Sequence, residues 1–73
     1  MTKNTIGRNI RSLRKQKNMQ QNDLALLLNI RRQTVSSYEL GKSIPDIFTL
    51  IRIADIFQVS LDELSGRAPV RKE

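Results

Sequence analysis

Between Gln20 and Leu40 the chain carries two short apolar stripes separated by a break, a pattern that fits a pair of packed helices and little else. Leu24, Ala25 and Leu28 mark the buried side of a helix over about 21–28. Val35 and Tyr38, three apart, mark a second over about 32–40, ended by Gly41. Asn29 stands between them. After glycine, asparagine best accepts a positive φ, so a sharp turn is available there. The second helix leaves Arg32, Gln33, Ser36 and Ser37 outward, which makes its unburied face polar and basic.

The flanking segments are helical as well. Ile6, Ile10 and Leu13 form one stripe at spacings of four and three, with Thr5 as a candidate cap before it and Asn18 suited to a left-handed end. After Pro45, Asp46 caps a helix expected to bury Ile47, Leu50, Ile51, Ala54 and Phe57 along one arc. Ser60 and Glu63 form a capping box, opening a one-turn helix that closes with Leu64 and stops before Gly66. Nothing in the pattern suggests a strand. The expected fold is therefore all-α with five helices. At 73 residues, 38% of them hydrophobic, the chain has material for one core, assigned to residues 1–66, with 67–73 as an unstructured tail.

Charge points to the partner. The formal net charge is +6, and it is unevenly spread: residues 1–42 hold nine lysines and arginines against Asp23 and Glu39, whereas residues 43–73 hold four against five acids. An excess on that scale favours a polyanion, of which nucleic acid is the commonest. The chain has neither cysteine nor histidine, so disulfides, zinc sites and Ser-His catalysis lack their usual parts. Gly7, Gly41 and Gly66 form no phosphate loop, and no enzyme activity, cofactor or small-molecule ligand is expected. The longest apolar run, Leu24 to Leu28, is too short to span a bilayer, and the amino terminus has no signal-peptide core, so the expected setting is cytoplasmic and away from membranes.

A helix laid in the major groove reads bases through side chains near its amino end that present paired donors and acceptors. Arg32, Gln33 and Ser37 are placed to do so: Gln33 can pair with adenine through its amide, and Arg32 can fork onto guanine or hold a phosphate. Lys42, directly after Gly41, is a candidate phosphate contact, and Thr34 and Ser36 on the same helix are candidates for positioning. Arg8, Arg11 and Lys15 on the outer face of the first helix are either a solvated surface or a phosphate-facing side.

Gln21-Asn22-Asp23-Leu24-Ala25, then Asn29-Ile30-Arg31, Thr34-Val35 and Tyr38-Glu39-Leu40-Gly41, with Val59 to Leu64 downstream, resemble the helix-turn-helix core of the phage repressor and Cro-like family. The resemblance runs from about Ile6 to Gly66 and implies a lambda-repressor-like domain. It matches Arg32, Gln33 and Ser37 to positions from which phage repressors contact bases. Gln21 matches the family's glutamine at the start of the second helix, implying a phosphate clamp that also buttresses the recognition helix, with Gln20 able to act likewise; the alternative is a weak cap. Arg14 and Glu39 look like the family's arginine–glutamate pair, tying the first helix to the end of the recognition helix, and Arg14 is also a candidate phosphate ligand. Two positions depart from the pattern. Where the family usually starts its second and third helices with serine or threonine, this chain has Gln20 and Arg31, neither a good cap, and Arg31 is either a phosphate contact or drift.

The resemblance implies a regulator of transcription, a repressor in the first instance, that binds a palindromic operator in double-stranded DNA as a homodimer. A two-fold pair reads half-sites roughly 34 Å apart, which one short helix cannot do alone. Ile44, Phe48, Ile56 and Leu61 lie off the expected buried arc or near its ends and are candidates for the dimer interface, unless they wrap the small core. The competing reading is an antitoxin-like module that binds a toxin and its own promoter.

Overall fold

The computed structural model describes residues 3–69, with side chains from Thr5 onward. Its elements are α1 (Lys3–Gln16), α2 (Gln21–Leu28), α3 (Arg32–Glu39), α4 (Ile47–Phe57) and α5 (Leu61–Ser65), with no strand among the described residues. This is the all-α, five-helix, lambda-repressor-like architecture. Its single core gathers Ile6, Ile10 and Leu13 of α1, Leu24, Ala25 and Leu28 of α2, Val35 of α3, Ile53, Ala54 and Phe57 of α4, and Leu64 of α5. The strongest packing joins α3 to both α1 and α2, so the short third helix is held from two sides.

The helix ends follow local chemistry. Asn18 and Asn29 take left-handed conformations at φ 56° and 58°, and Ile30 N–H closes back onto Ala25 O at 3.0 Å. Asp46 accepts from Thr49 N–H at 2.8 Å. Ser60 Oγ accepts from Glu63 N–H at 3.0 Å, while Glu63 Oε1 accepts from Ser60 N–H at 2.9 Å. Gln58 also sits left-handed, at φ 56°, ending α4 where no side-chain signature announces it.

Four expectations are corrected. First, α1 begins at Lys3, so Thr5 lies inside the helix rather than at its cap. Second, the buried arc of α4 is rotated from the expected one: Ile53, Ala54 and Phe57 are buried and Leu50 half-buried, whereas Ile47 and Ile51 are 54% and 42% exposed. The sequence IFTLIRIADIF is apolar nearly all round, so periodicity leaves two arcs open and packing against α1 and α5 selects one. Third, the segment after Gly66 stays on the fold for two residues, because Arg67 and Ala68 N–H both reach Asp62 O, at 2.8 and 3.1 Å. The remainder of the expected tail, residues 70–73, lies outside the described residues. Fourth, Gln20 is not a bare cap: Asp23 Oδ2 reaches back to accept its N–H at 2.8 Å, the half of a capping box that the third helical residue supplies.

Candidate nucleic-acid interface

The site is built at the amino-terminal ends of α2 and α3, where backbone N–H groups are left over by helix geometry and the helix dipole favours an anion. Arg31, at the N-cap position of α3, makes no side-chain cap bond. Of the side chains assigned to recognition, Arg32 and Gln33 are exposed, while Thr34, Ser36 and Ser37 are half-buried. Ser36 and Ser37 are thus less open than an outward-facing pattern suggests, because the turn after α3 folds back: Lys42 N–H donates to Ser37 O at 2.9 Å. Gly41, at φ 75°, makes that turn, and Lys42 leaves it exposed.

A polar network fixes the orientation of α3. Arg14 Nε donates to Glu39 Oε2 at 2.7 Å and Arg14 Nη2 to Glu39 Oε1 at 3.0 Å, with the two side chains 9% and 3% exposed. Arg14 Nη1 donates to Met19 O at 2.7 Å. The hydrogen bonds to Glu39 hold the guanidinium pKa above its already high ordinary value, against the opposing effect of burial. Each of the three nitrogens makes one hydrogen bond inside the fold, so Arg14 belongs to the frame; one N–H on each of Nη1 and Nη2 is left over, and these are what a phosphate contact would use. Buried pairs of this kind fix geometry more than they add stability, since desolvation consumes most of the Coulomb gain.

The network continues to the surface. Gln21 Nε2 donates to Glu39 Oε1 at 3.1 Å, and Gln21 Oε1 accepts from Arg32 Nη1 at 3.2 Å. Gln21 is therefore joined to both ends of α3.

Two contributors carry no sequence signal. Gly7 lies where α1 crosses the end of α3: a Cβ there would stand 2.3 Å from Tyr38 O and 2.7 Å from Glu39 O. The close approach that lets Arg14 reach Glu39 thus depends on a missing side chain. Arg52 of α4 donates to Leu27 O at 2.6 Å and to Leu28 O at 3.3 Å, closing the carboxy-terminal end of α2. Both are contacts between distant segments and are invisible to periodicity.

On and beside α4 lies an apolar strip. Phe48 is 77% exposed, and Ile44, Ile47, Ile51 and Leu61 are exposed with it. Beside it a groove of about 160 Å³ is lined by Ile47, Leu50, Leu61, Asp62, Leu64 and Ser65. Ile56, assigned to the same surface, is instead half-buried and packed on the core, which removes it from the strip. Ile47 and Ile51 enter in its place, as the rotation of α4 requires.

A family model described as helix-turn-helix matches residues 10–64, which takes in the framed pair of helices and the elements that hold them. The chain belongs to the helix-turn-helix family. It is similar to an uncharacterized helix-turn-helix transcriptional regulator, YqaE, of Bacillus subtilis, at 46% identity over 59 residues, covering 81% of this chain and 51% of the relative. It is also similar to the cryptic phage CTXphi transcriptional repressor RstR of Vibrio cholerae, at 34% identity over 62 residues, covering 85% of this chain and 55% of the relative. Among solved structures, a transcriptional regulator from Listeria innocua superposes with a TM-score of 0.80 at 37% identity, covering 93% of this chain and 62% of that one. The chain spans about half the length of the curated relatives it matches. These similarities place it in the phage repressor/Cro-like helix-turn-helix family. No helix among the described residues is long and apolar enough to cross a membrane.

Proposed function

We propose that this chain binds double-stranded DNA by laying α3 in the major groove and regulates transcription, acting as a repressor on a palindromic operator. The observation that carries this reading is the frame around α3: a buried Arg14–Glu39 pair, continued through Gln21, presents Arg32 and Gln33 at the exposed start of a helix belonging to this family. Arg32, Gln33 and Ser37 read bases; Gln20, Arg31, Thr34, Ser36 and Lys42 position the backbone, with Gln21 serving both the frame and the phosphate. The name of the phage repressor RstR supports repression as the outcome.

The chain acts as a homodimer. Its interface is the strip around Phe48, with Ile44 and Leu61 and now Ile47 and Ile51, since an exposed apolar surface on and beside α4 suits an isologous contact. Two recognition helices then meet half-sites roughly 34 Å apart.

The test is a selection from a random duplex library, followed by salt titration on the retained sequences. A two-fold symmetric consensus is expected, with a log–log salt slope of about −4 or steeper, since each phosphate neutralised contributes about −0.9. A flat salt dependence with no consensus overturns the function. Phe48→Glu is expected to give a folded monomer with weakened operator binding; a folded variant that stays dimeric contradicts the interface.

A further inference from the structure

We propose that the outer face of α1 binds the phosphate backbone of the operator duplex beyond the half-site that α3 reads; this rests on the DNA-binding function proposed above. Arg8, Arg11 and Lys15 form the surface. They fall at spacings of three and four along one side of the helix, and all three are exposed. None of their side chains forms an ion pair or hydrogen bond among the described residues. The other bases of the frame are used internally, Arg14 on Glu39, Arg32 on Gln21 and Arg52 on the end of α2. No acid is left to neutralise the stripe: α1 contains none, Asp23 is taken by Gln20 N–H and Glu39 by Arg14. Like charges three and four residues apart oppose helix formation, so Arg8 with Arg11 and Arg11 with Lys15 both cost α1 stability. A polyanion laid along the stripe removes that cost.

The spacing fits a nucleic-acid strand. From Arg8 to Lys15 the helix rises roughly 10 Å, and one strand of duplex DNA carries a phosphate about every 3.4 Å of its axis, so the stripe spans about three phosphates. Its place on the fold selects the flank of the site. Gly7 is where α1 touches the carboxy-terminal end of α3, at Tyr38 O and Glu39 O, and Arg11 and Lys15 continue the row of Gly7 in four-residue steps, each turned further toward solvent. A helix that meets bases near its amino end leaves its other end toward the edge of the groove, where the backbone begins. The stripe starts at that end of α3, and Lys42, exposed just past it, adds a further base there.

Duplex length separates this contact from those of α3. Two duplexes carry the same selected operator, one ending at its edges and one extended on each side by a helical turn, about 10 base pairs. The wild type is expected to bind the longer duplex roughly tenfold tighter at low salt, with a log–log salt slope steeper by up to about 2.7 per chain, three phosphates at about 0.9 each. Arg8→Gln, Arg11→Gln and Lys15→Gln together are expected to erase that length effect while selecting the same consensus and melting no earlier, since the repulsion along α1 is gone. If the triple variant melts early, Lys15→Gln alone serves, with a slope change of about 0.9 on the longer duplex. Wild-type binding that ignores length, a length effect that survives the substitutions, or an equal loss on both duplexes overturns the inference. So does wild-type capture of a second, separate duplex that the variant fails to capture, which would place the contact in trans. A wild type that selects no operator overturns the DNA-reading function and this inference with it, whereas a selected operator without a length effect overturns the inference alone.

Discussion

The two halves of this domain are stabilised by opposite means. In α4 and α5 the helices begin on short side chains that cap their own backbone, Asp46 onto Thr49 N–H and Ser60 onto Glu63 N–H, and their apolar faces are generous enough to leave Phe48 in solvent. In α2 and α3 the helices are eight residues each, and Arg31 supplies no cap bond. Helices that short, like the still shorter α5, do not persist on their own. They are held from outside, by Val35 and Leu24 in the core and by a charged pair that reaches across from α1. The difference shows what each half is for: one is built to be stable, the other to keep a polar, cationic helix start open while fixing where it points.

The strongest way to break that contrast is Glu39→Ala. It strands a buried guanidinium without its counter-charge, and the expected loss is about 3–5 kcal/mol in chemical denaturation. Replacing both partners, Arg14→Met with Glu39→Leu, is expected to recover most of the melting temperature while base selection stays impaired. Recovery of both together would show that the pair serves stability alone.

Gly7→Ala comes next. The added methyl meets backbone oxygens rather than a yielding side chain, so α1 and α3 must separate, at a cost of about 1–3 kcal/mol. An unchanged melting curve would mean that the crossing is looser than the 2.3 Å approach indicates.

In the other half, Ser60→Ala removes the cap of α5 and is expected to cost about 1 kcal/mol, roughly 4–8 °C in Tm, with DNA affinity unchanged. Acid acts on α4 through Asp46. Its carboxyl is held below the ordinary aspartate range by the hydrogen bond from Thr49 N–H, so the stability it contributes is complete above the unfolded value near pH 4 and fades as pH falls below it. Asp46→Asn should flatten that part of the stability–pH curve, and thermal melts between about pH 2 and 6 check it.

Arg31→Ser is the smallest change and the one that most sharpens the comparison. It gives α3 the cap that α5 already has, with an expected gain of up to about 1 kcal/mol, and it weakens DNA binding if the arginine holds a phosphate. Stability and affinity are expected to move in opposite directions, and calorimetry alongside a binding titration reads both. Loss of stability on this substitution would mean that Arg31 contributes to the fold itself.

What could be read from the sequence follows the range of the interaction. Asn18, Asn29, Asp46 and the Ser60–Glu63 box act within four residues of themselves, so residue type and spacing announce them. The rotation of α4 was not legible, because Ile47, Ile51 and Ile53 are equally apolar and only packing distinguishes them. Nor was the left-handed Gln58, a residue type with no preference for that conformation. At the candidate site, exposure of Arg32 and Gln33 follows from periodicity, and the Arg14–Glu39 pair from the family resemblance. The resemblance also implies that Gln21 buttresses α3, but its Arg32 partner, the Gly7 crossing and the Arg52 closure of α2 each join segments 11 to 32 residues apart and depend on the assembled fold.

The central claim is that the start of α3 reads bases while its surroundings only position it. Binding of Gln33→Ala to the selected operator and to random duplex, measured at one salt concentration, tests this directly. The account predicts a loss on the operator of about 1–3 kcal/mol with random-duplex affinity unchanged, because a bidentate base contact discriminates and a backbone contact does not. Equal losses on both duplexes would contradict it.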